Sequence, residues 1–414
     1  MTIREFFYGI SMLLMPISAF LAPTEWIMGR NAMYLALFIL VIQFICSRGK
    51  ARLLDRIWLF IAVVVAGIAF CQLWWVNQFG DSSAGELLAN TSYAKTYKLL
   101  MPLSVLIFVT SVIPDKVISR FRFLLLGMIC LAFGVASFEG IYTYLSEDSV
   151  RANIGGISTT AAYLETIQGL LCLYAINILA VRYKKRLMMI VSVITFIIIL
   201  MTGTRSATLL FPVTLLIMAF RSMAVKDVIK LVIVFVILFT VTLVAAHQVR
   251  DRFIEAYQDL SHENTNNSTS IGARFSMWRS GLFTASNHLV GQSAESRLHD
   301  ITRYIDTNEK GNAEALRNVP YHTHNELIEI ASLQGIAPAS LMLILYALTF
   351  MAFRKQGRID LAVFTFTTPL IIFGIGDVLM IYPKAILSIF STLCLYNILT
   401  RINRGQRVYN KGLV

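Results

Sequence analysis

Residues 187–220 read LMMIVSVITFIIILMTGTRSATLLFPVTLLIMAF. Two apolar runs, 187–202 and 206–220, are separated only by Gly203, Thr204 and Arg205. Runs of this kind are the material of membrane-spanning helices, which need roughly 20 apolar residues each. A connection this short forces the two helices into an antiparallel hairpin. Arg205 then sits in a tight turn at the membrane edge, where an arginine is costly unless it is paired or bound to an anion.

Outward from this hairpin the pattern repeats. Ten further apolar runs lie at roughly 6–22, 31–46, 57–76, 97–113, 123–145, 159–181, 228–247, 334–353, 360–379 and 383–400. The composition agrees: 57% of the 414 residues are hydrophobic and only 14% charged, against about a quarter charged in a soluble domain. The expected fold is all-α, a polytopic membrane protein with about 12 transmembrane helices. All five cysteines, Cys46, Cys71, Cys130, Cys172 and Cys394, fall within apolar runs, so no disulfide framework is implied. Arg4 precedes an apolar run from Phe6 that no small-residue cleavage site ends, which predicts a retained first helix rather than a signal peptide.

The net charge of +12 could suggest a nucleic-acid partner, but its distribution points to topology. With the N-terminus inside, the segments before residue 6, 47–56, 114–122, 182–186, 221–227, 354–358 and the C-terminal tail hold 21 Lys and Arg. The short loops of the other side hold six: Arg30, Lys95, Lys98, Arg151, Arg205 and Lys384. Positive residues mark cytoplasmic loops, so both termini are expected in the cytoplasm. No nucleic-acid partner is expected. Residues 248–323 form one long polar connection with eight basic and nine acidic residues, and nine spans before it place it outside. The layout expected is therefore helices one to nine in 1–247, a loop domain in 248–323, and the last three helices with the tail in 324–414. A connection so long should hold short helices, one over 270–286 and another beginning near His324.

The chemistry-bearing residues gather at this outer face. All six histidines lie between His247 and His324, so a group that titrates near neutrality is confined to the outward loop and its edges. His324 opens the segment that returns the chain to the membrane, where it can meet both water and a lipid headgroup. The bland alternative is an interfacial or capping residue. His322, His324, Glu326 and Glu329 could also be read as metal ligands, but their spacing fits no usual zinc pattern. Arg274 and Arg279 lie in the outward loop, and guanidinium groups suit bidentate recognition of phosphate. With Arg205 they are candidates for a pyrophosphate, and Arg151 is a further outward cation. Among the acidic residues inside apolar runs, Glu139, Glu165 and Asp377 stand out. Asp377, near the outer end of span eleven, could orient His324 or pair with Arg205. No P-loop, D-x-D or G-x-G-x-x-G motif supports nucleotide-driven chemistry.

The segments Thr202–Pro212, Ser270-Ile271-Gly272-Ala273-Arg274, Ser293-Ala294-Glu295-Ser296-Arg297 and His324-Asn325-Glu326, in this order and spacing, resemble the bacterial O-antigen ligases of the O-antigen ligase/polymerase superfamily. The resemblance implies a GT-C-like glycosyltransferase of the inner membrane, active on the periplasmic side in lipopolysaccharide biosynthesis. Its donor would be O-antigen on undecaprenyl pyrophosphate and its acceptor an outer-core sugar hydroxyl of lipid A–core. His324 would serve as general base or hold the hydroxyl, and Arg205 and Arg274 would bind the pyrophosphate. Asn325, Asp377, Arg279 and Arg151 would support them. The transfer would invert the anomeric centre without metal, nucleotide or other cofactor. The family pattern of His, a polar residue, nine residues and Gly-x-x-Gly maps onto His324, Asn325 and Gly335, with Pro338 in place of the second glycine. Proline also breaks helices, so it could supply the same bend. The nearest rival is an O-antigen polymerase of the same superfamily; a secondary transporter or glycolipid flippase would instead call for midplane charges, Gly/Pro-broken helices and inverted repeats.

Overall fold

The computed structural model describes residues 1–47, 56–80, 87–146, 152, 157, 158–179, 182–245, 250, 254, 269–355 and 358–411. Helices α1 (Ile3–Leu21), α2 (Trp26–Cys46), α3 (Arg56–Phe79), α4 (Leu88–Ser111), α5 (Asp115–Ser146), α6 (Ser158–Ile178), α7 (Lys184–Thr202), α8 (Arg205–Ser222) and α9 (Val225–Ala245) precede the long connection. Within that connection lie α10 (Ser270–Asn287), α11 (Ala294–Asn308) and α12 (Ala313–Asn318). The chain then forms α13 (Glu326–Gln334), α14 (Ile336–Ala352), a π-turn at Val363–Thr367 leading into α15 (Thr368–Gly376), and α16 (Pro383–Lys411). A two-residue antiparallel pairing of Arg354–Lys355 with Arg358–Ile359 is the one strand contact among the described residues.

Seven of these helices are long and apolar enough to cross a membrane, and α14 and the 363–376 stretch are shorter apolar helices. Their burial ranks them. The apolar window of α16 is 94% buried and that of α6 is 89% buried, so these two occupy the middle of the bundle. In α2 only 33% of the window is buried, and residues such as Phe38, Phe60, Phe70 and Phe138 point outward from α2, α3 and α5. Large apolar side chains on an outer surface fit hydrocarbon rather than water. The chain is an all-α, multi-pass membrane protein.

Polar side chains fasten the central helices, as in other membrane bundles. Gln168 of α6 donates to the Ala19 carbonyl at 2.8 Å and to Ser388 Oγ at 3.1 Å, while Ser18 and Ser391 hydroxyls meet at 2.8 Å. The π-turn has a partner too: Tyr396 of α16 donates its hydroxyl to the Thr365 carbonyl at 3.1 Å.

The α7–α8 hairpin forms as expected. Gly203 ends α7 with φ of 63°, the left-handed conformation that glycine adopts without a Cβ penalty. Arg205 is the first residue of α8.

The expected span at 334–353 is divided differently. A half-helix, α13, stops at Gln334, and α14 starts at Ile336. The break belongs to Gly335, with φ of 97° and ψ of 178°, a region open essentially to glycine alone. A Cβ there would lie 2.6 Å from the Leu289 carbonyl oxygen. The Leu289 carbonyl accepts from Ile336 N–H at 2.9 Å, and Gln292 N–H donates to the Leu333 carbonyl at 3.0 Å, so the loop after α10 clasps the break. Pro338 does not supply the bend; it lies in the first turn of α14, where a missing N–H leaves no hydrogen bond unmade. Likewise the run at 360–379 is helical only to Gly376, which leaves Asp377 in the turn before α16.

Candidate active site

The site forms where α13 begins. Asn325 is its N-cap: the side-chain oxygen accepts from Leu327 N–H at 3.1 Å and Ile328 N–H at 3.2 Å. The amide nitrogen of the same side chain donates to the Ile375 carbonyl at 3.2 Å, tying α13 to the end of α15. Asn325 thus does two jobs that its sequence position alone did not separate.

His324 precedes this cap with φ of 53°. A non-glycine residue in the left-handed region costs on the order of 1–2 kcal/mol, and persists where neighbours over-determine it. Here they do. Trp278 of α10 donates its indole N–H to the His324 carbonyl at 3.2 Å, and the His324 N–H donates to His322 Nδ1 at 3.3 Å. Thr323 N–H donates to Glu329 Oε2 at 2.9 Å. Residues 322–325 are held at every position.

Both histidine rings meet Asp377. His324 Nδ1 lies 3.3 Å from Asp377 Oδ1 and His322 Nε2 lies 3.7 Å from the same oxygen. The first contact has the distance of a hydrogen bond but not its alignment, since His324 Nδ1 lacks a well-directed partner. Of the two pairings open to Asp377, the structure has the one with His324, not the one with Arg205. Burial pushes the Asp377 carboxyl up, but the His324 contact, the His322 and His324 charges and the Val378 N–H outweigh it and hold it down to about 2. His322 is buried and accepts a backbone N–H on Nδ1, so Nε2 carries the proton that faces Asp377. Burial lowers its basicity, with the Asp377 charge opposing. The His324 side chain is 23% exposed. The nearest ligating atoms of His322, His324 and Asp377 all lie within 4.8 Å of one another.

Beneath them lies a charged floor that the sequence reading did not assign. Arg297 of α11 and Glu329 of α13, 3% and 0% exposed in their side chains, pair at 2.5 Å. Burial raises the Glu329 carboxyl, yet the Arg297 charge and hydrogen bond bring it below its usual range. Glu326, fully buried, accepts from Leu379 N–H at 2.6 Å and Met380 N–H at 3.0 Å on one oxygen. Those are amides of the turn that carries Asp377. The other oxygen has no partner among the described residues, and burial raises this carboxyl to about 8. The signal for the floor was present but dispersed: Arg297 sits in one of the segments that carried the resemblance, and both glutamates lie in an otherwise apolar helix.

The remaining candidates fall around this centre. Arg274 lies one helical turn before Trp278 on α10, hence on the same face; it is half-buried and makes no polar contact among the described residues. Arg205 opens α8 beside Ser206, whose hydroxyl donates to Tyr163 at 3.3 Å. Tyr163 in turn stacks on Phe373 of α15, with ring centroids 4.2 Å apart, one turn before Asp377. Arg279 is turned to Glu309 at 3.2 Å, and Ser276 donates to the same carboxylate, which makes a local strut of the loop helices. Arg151, His247 and His262 lie outside the described residues. His288 and His299 both face Asp300, away from Asp377. Glu165 is buried within α6 and Glu139 is half-buried in α5.

Residues 190–344, from α7 through the loop helices into α14, match the family described as O-antigen ligase. The O-antigen ligase of Escherichia coli (strain K12) is 27% identical over 348 residues, covering 81% of this chain and 80% of its own. The matched stretch contains Arg205, Arg274, Arg297 and His324, the relative aligns over most of the chain, and both likenesses are to the O-antigen ligase superfamily.

Proposed function

We propose that the protein is the ligase of this superfamily, joining a polysaccharide carried on undecaprenyl pyrophosphate to a sugar hydroxyl of lipid A–core. The observation that carries the proposal is His324, held in a left-handed backbone at a solvent-facing mouth with Nδ1 turned to a buried Asp377. Nδ1–H facing the carboxylate leaves Nε2 as the acceptor of a proton. The acceptor hydroxyl oxygen attacks the anomeric carbon of the donor, its proton passes to His324 Nε2, and the bond to the pyrophosphate oxygen breaks with inversion. Asp377 stabilises the imidazolium that results. Contacts of this kind are often loose before substrate binds and tighten in the reacting complex. Arg274, with no polar contact among the described residues, and Arg205, at the N-terminus of α8, are suited to the pyrophosphate; a helix N-terminus adds its own attraction for anions. On this reading the protein lies in the inner membrane with the His324 mouth facing the periplasm and both termini in the cytoplasm.

The test is ligation by the purified protein, with lipid-linked O-antigen and lipid A–core, in EDTA and without ATP. Product from wild type, lost in His324→Ala and Arg274→Ala variants that fold, supports the proposal. Extension of the lipid-linked glycan in place of ligation would make it a polymerase. One observation favours a second reading of the chemistry: His322, His324 and Asp377 are close enough to share a divalent cation. Loss of product in EDTA, restored by a divalent metal, would mean that His322, His324 and Asp377 hold a cation that supplies Lewis-acid activation of the acceptor in place of a His324 base.

A further inference from the structure

A cavity of about 570 Å³ opens beside the site and takes no part in the chemistry proposed above. Neither Arg205 nor Arg274 lines it. Its body is apolar, with Trp26, Leu99, Ile157 and Leu164 in the wall, and Arg30, Lys95, Lys98 and Lys384 also line it. Its link to the site is Tyr382, which lines the cavity and lies 6.5 Å from the His322 ring, centroid to centroid.

The charges are the informative part. Six Lys and Arg stand in the short loops and helix ends of the outward side, against the general bias of the chain. Four of those six line this one cavity. None of the four forms an ion pair among the described residues. Lys384 donates to the Pro23 carbonyl at 3.0 Å and Lys98 lies 5.7 Å from the Tyr97 ring centre, which steady the side chains without neutralising them. Glu25, in the turn between α1 and α2, pairs with none of them. Four cations around an apolar slot at a membrane edge call for an amphipathic ligand with several negative charges. A phosphate monoester carries about −1.5 to −2 at pH 7. Two such groups match four cations, and the apolar wall matches acyl chains.

We infer that this cavity seats the phosphorylated, acylated anchor of the acceptor glycolipid, apart from the donor pyrophosphate at Arg205 and Arg274. The inference rests on the ligase reading for the identity of its occupant. It assigns Arg30, Lys95 and Lys98 to acceptor affinity, and it gives the two anionic lipids of one reaction separate sets of cations.

The test uses the full-length protein in phosphatidylcholine nanodiscs, titrated with purified bis-phosphorylated lipid A. The variants are Arg30→Gln and the Lys95→Gln, Lys98→Gln double substitution, all on exposed or half-buried positions. Lipid A binding should weaken about fivefold for each cation removed, while binding of undecaprenyl pyrophosphate holds. Dephosphorylated lipid A should bind wild type and variants alike. In ligation the KM for acceptor should rise by the same factor, with donor KM and kcat unmoved. Unchanged lipid A binding overturns the inference, as does a loss confined to the donor lipid. Equal competition by phosphatidylglycerol would also overturn it, by making the cavity a general site for acidic lipids. The two readings fail separately. If the variants bind lipid A like wild type while ligation proceeds, only the cavity assignment falls. If wild type binds lipid A through these cations but makes no ligated product, the cavity assignment stands and the ligase reading falls.

Discussion

The start of α13 has a floor and a mouth, and the two use the same residue types to opposite ends. In the floor, Arg297 and Glu329 are sealed from solvent and spent on each other, and Glu326 holds two backbone amides of the 377–382 turn. At the mouth, Arg274 makes no polar contact among the described residues, and His324 is partly exposed with one ring nitrogen toward Asp377. Both arginines come from helices of the same long connection. Burial and partner, not residue type, make one a structural brace and leave the other available to a ligand. A floor this fixed explains how the mouth can hold a strained backbone at His324.

The sharpest way to break this comparison is to remove one arginine from each side. Arg297→Ala strands the Glu329 carboxylate in a dry site, which should destabilise the fold by about 3–5 kcal/mol. Thermal unfolding in detergent would show it as a large drop in Tm or as failure to accumulate in the membrane. Arg274→Ala should leave stability within about 0.5 kcal/mol, yet lower ligation by about 10²–10³-fold if it stabilises the leaving pyrophosphate. Equal loss of stability in both variants would erase the distinction.

The two histidines carry the same comparison into the site itself. His324→Ala should cost about 10²–10⁴-fold in kcat, the usual contribution of a general base, with the fold intact. His322→Ala should lower Tm and affect turnover less, because that ring is buried and supports the His324 backbone through Nδ1. A His322 variant that is folded and inactive, beside an active His324 variant, would exchange their roles.

Much of this was legible from the chain. The hairpin at 187–220 follows from hydropathy and a three-residue gap, and a histidine at the mouth of a returning helix together with a carboxylate near the end of span eleven named two thirds of the His322–His324–Asp377 group. What was hidden has physical reasons. The Arg297–Glu329 pair joins residues far apart in sequence, and no local periodicity reports such a pairing. Glu326 and Glu329 read locally as acids near a helix start, and only the Leu379 and Met380 amides for the first and Arg297 for the second show why burying them is tolerated. The break at Gly335 was masked because the apolar pattern runs straight through it, and because a proline three residues later is the more conspicuous helix breaker. Pro338 at the first turn of α14 is compatible with a regular helix.

The floor can also be probed by pH. The Glu326 carboxyl, raised by burial to about 8 from a usual 4.5, holds its proton in the folded protein over a range where the unfolded chain has lost it. Stability from this group is therefore full below about pH 4.5 and falls as pH rises toward 8, with a slope of up to about 1.4 kcal/mol per pH unit. Glu326→Gln keeps an oxygen for the Leu379 and Met380 amides and cannot ionise. Its unfolding midpoint should be flatter than that of wild type between about pH 5 and pH 8. Parallel curves for the two proteins would mean that Glu326 is ionised in the fold and paired in a way the floor does not reveal.

The smallest expected effect separates the two jobs of Asn325. Asn325→Ala removes the cap of α13, which costs about 1 kcal/mol, and also the hydrogen bond to the Ile375 carbonyl that joins α13 to the end of α15. Asn325→Ser keeps a capping oxygen but is too short to reach Ile375. It should therefore recover most of the lost stability and little of any lost turnover. The reason is geometric: Asp377 follows Ile375 by two residues, so the Asn325 amide sets the spacing between His324 and its carboxylate. Recovery of both stability and turnover by serine would reduce Asn325 to a cap and leave Asp377 itself to draw the two segments together.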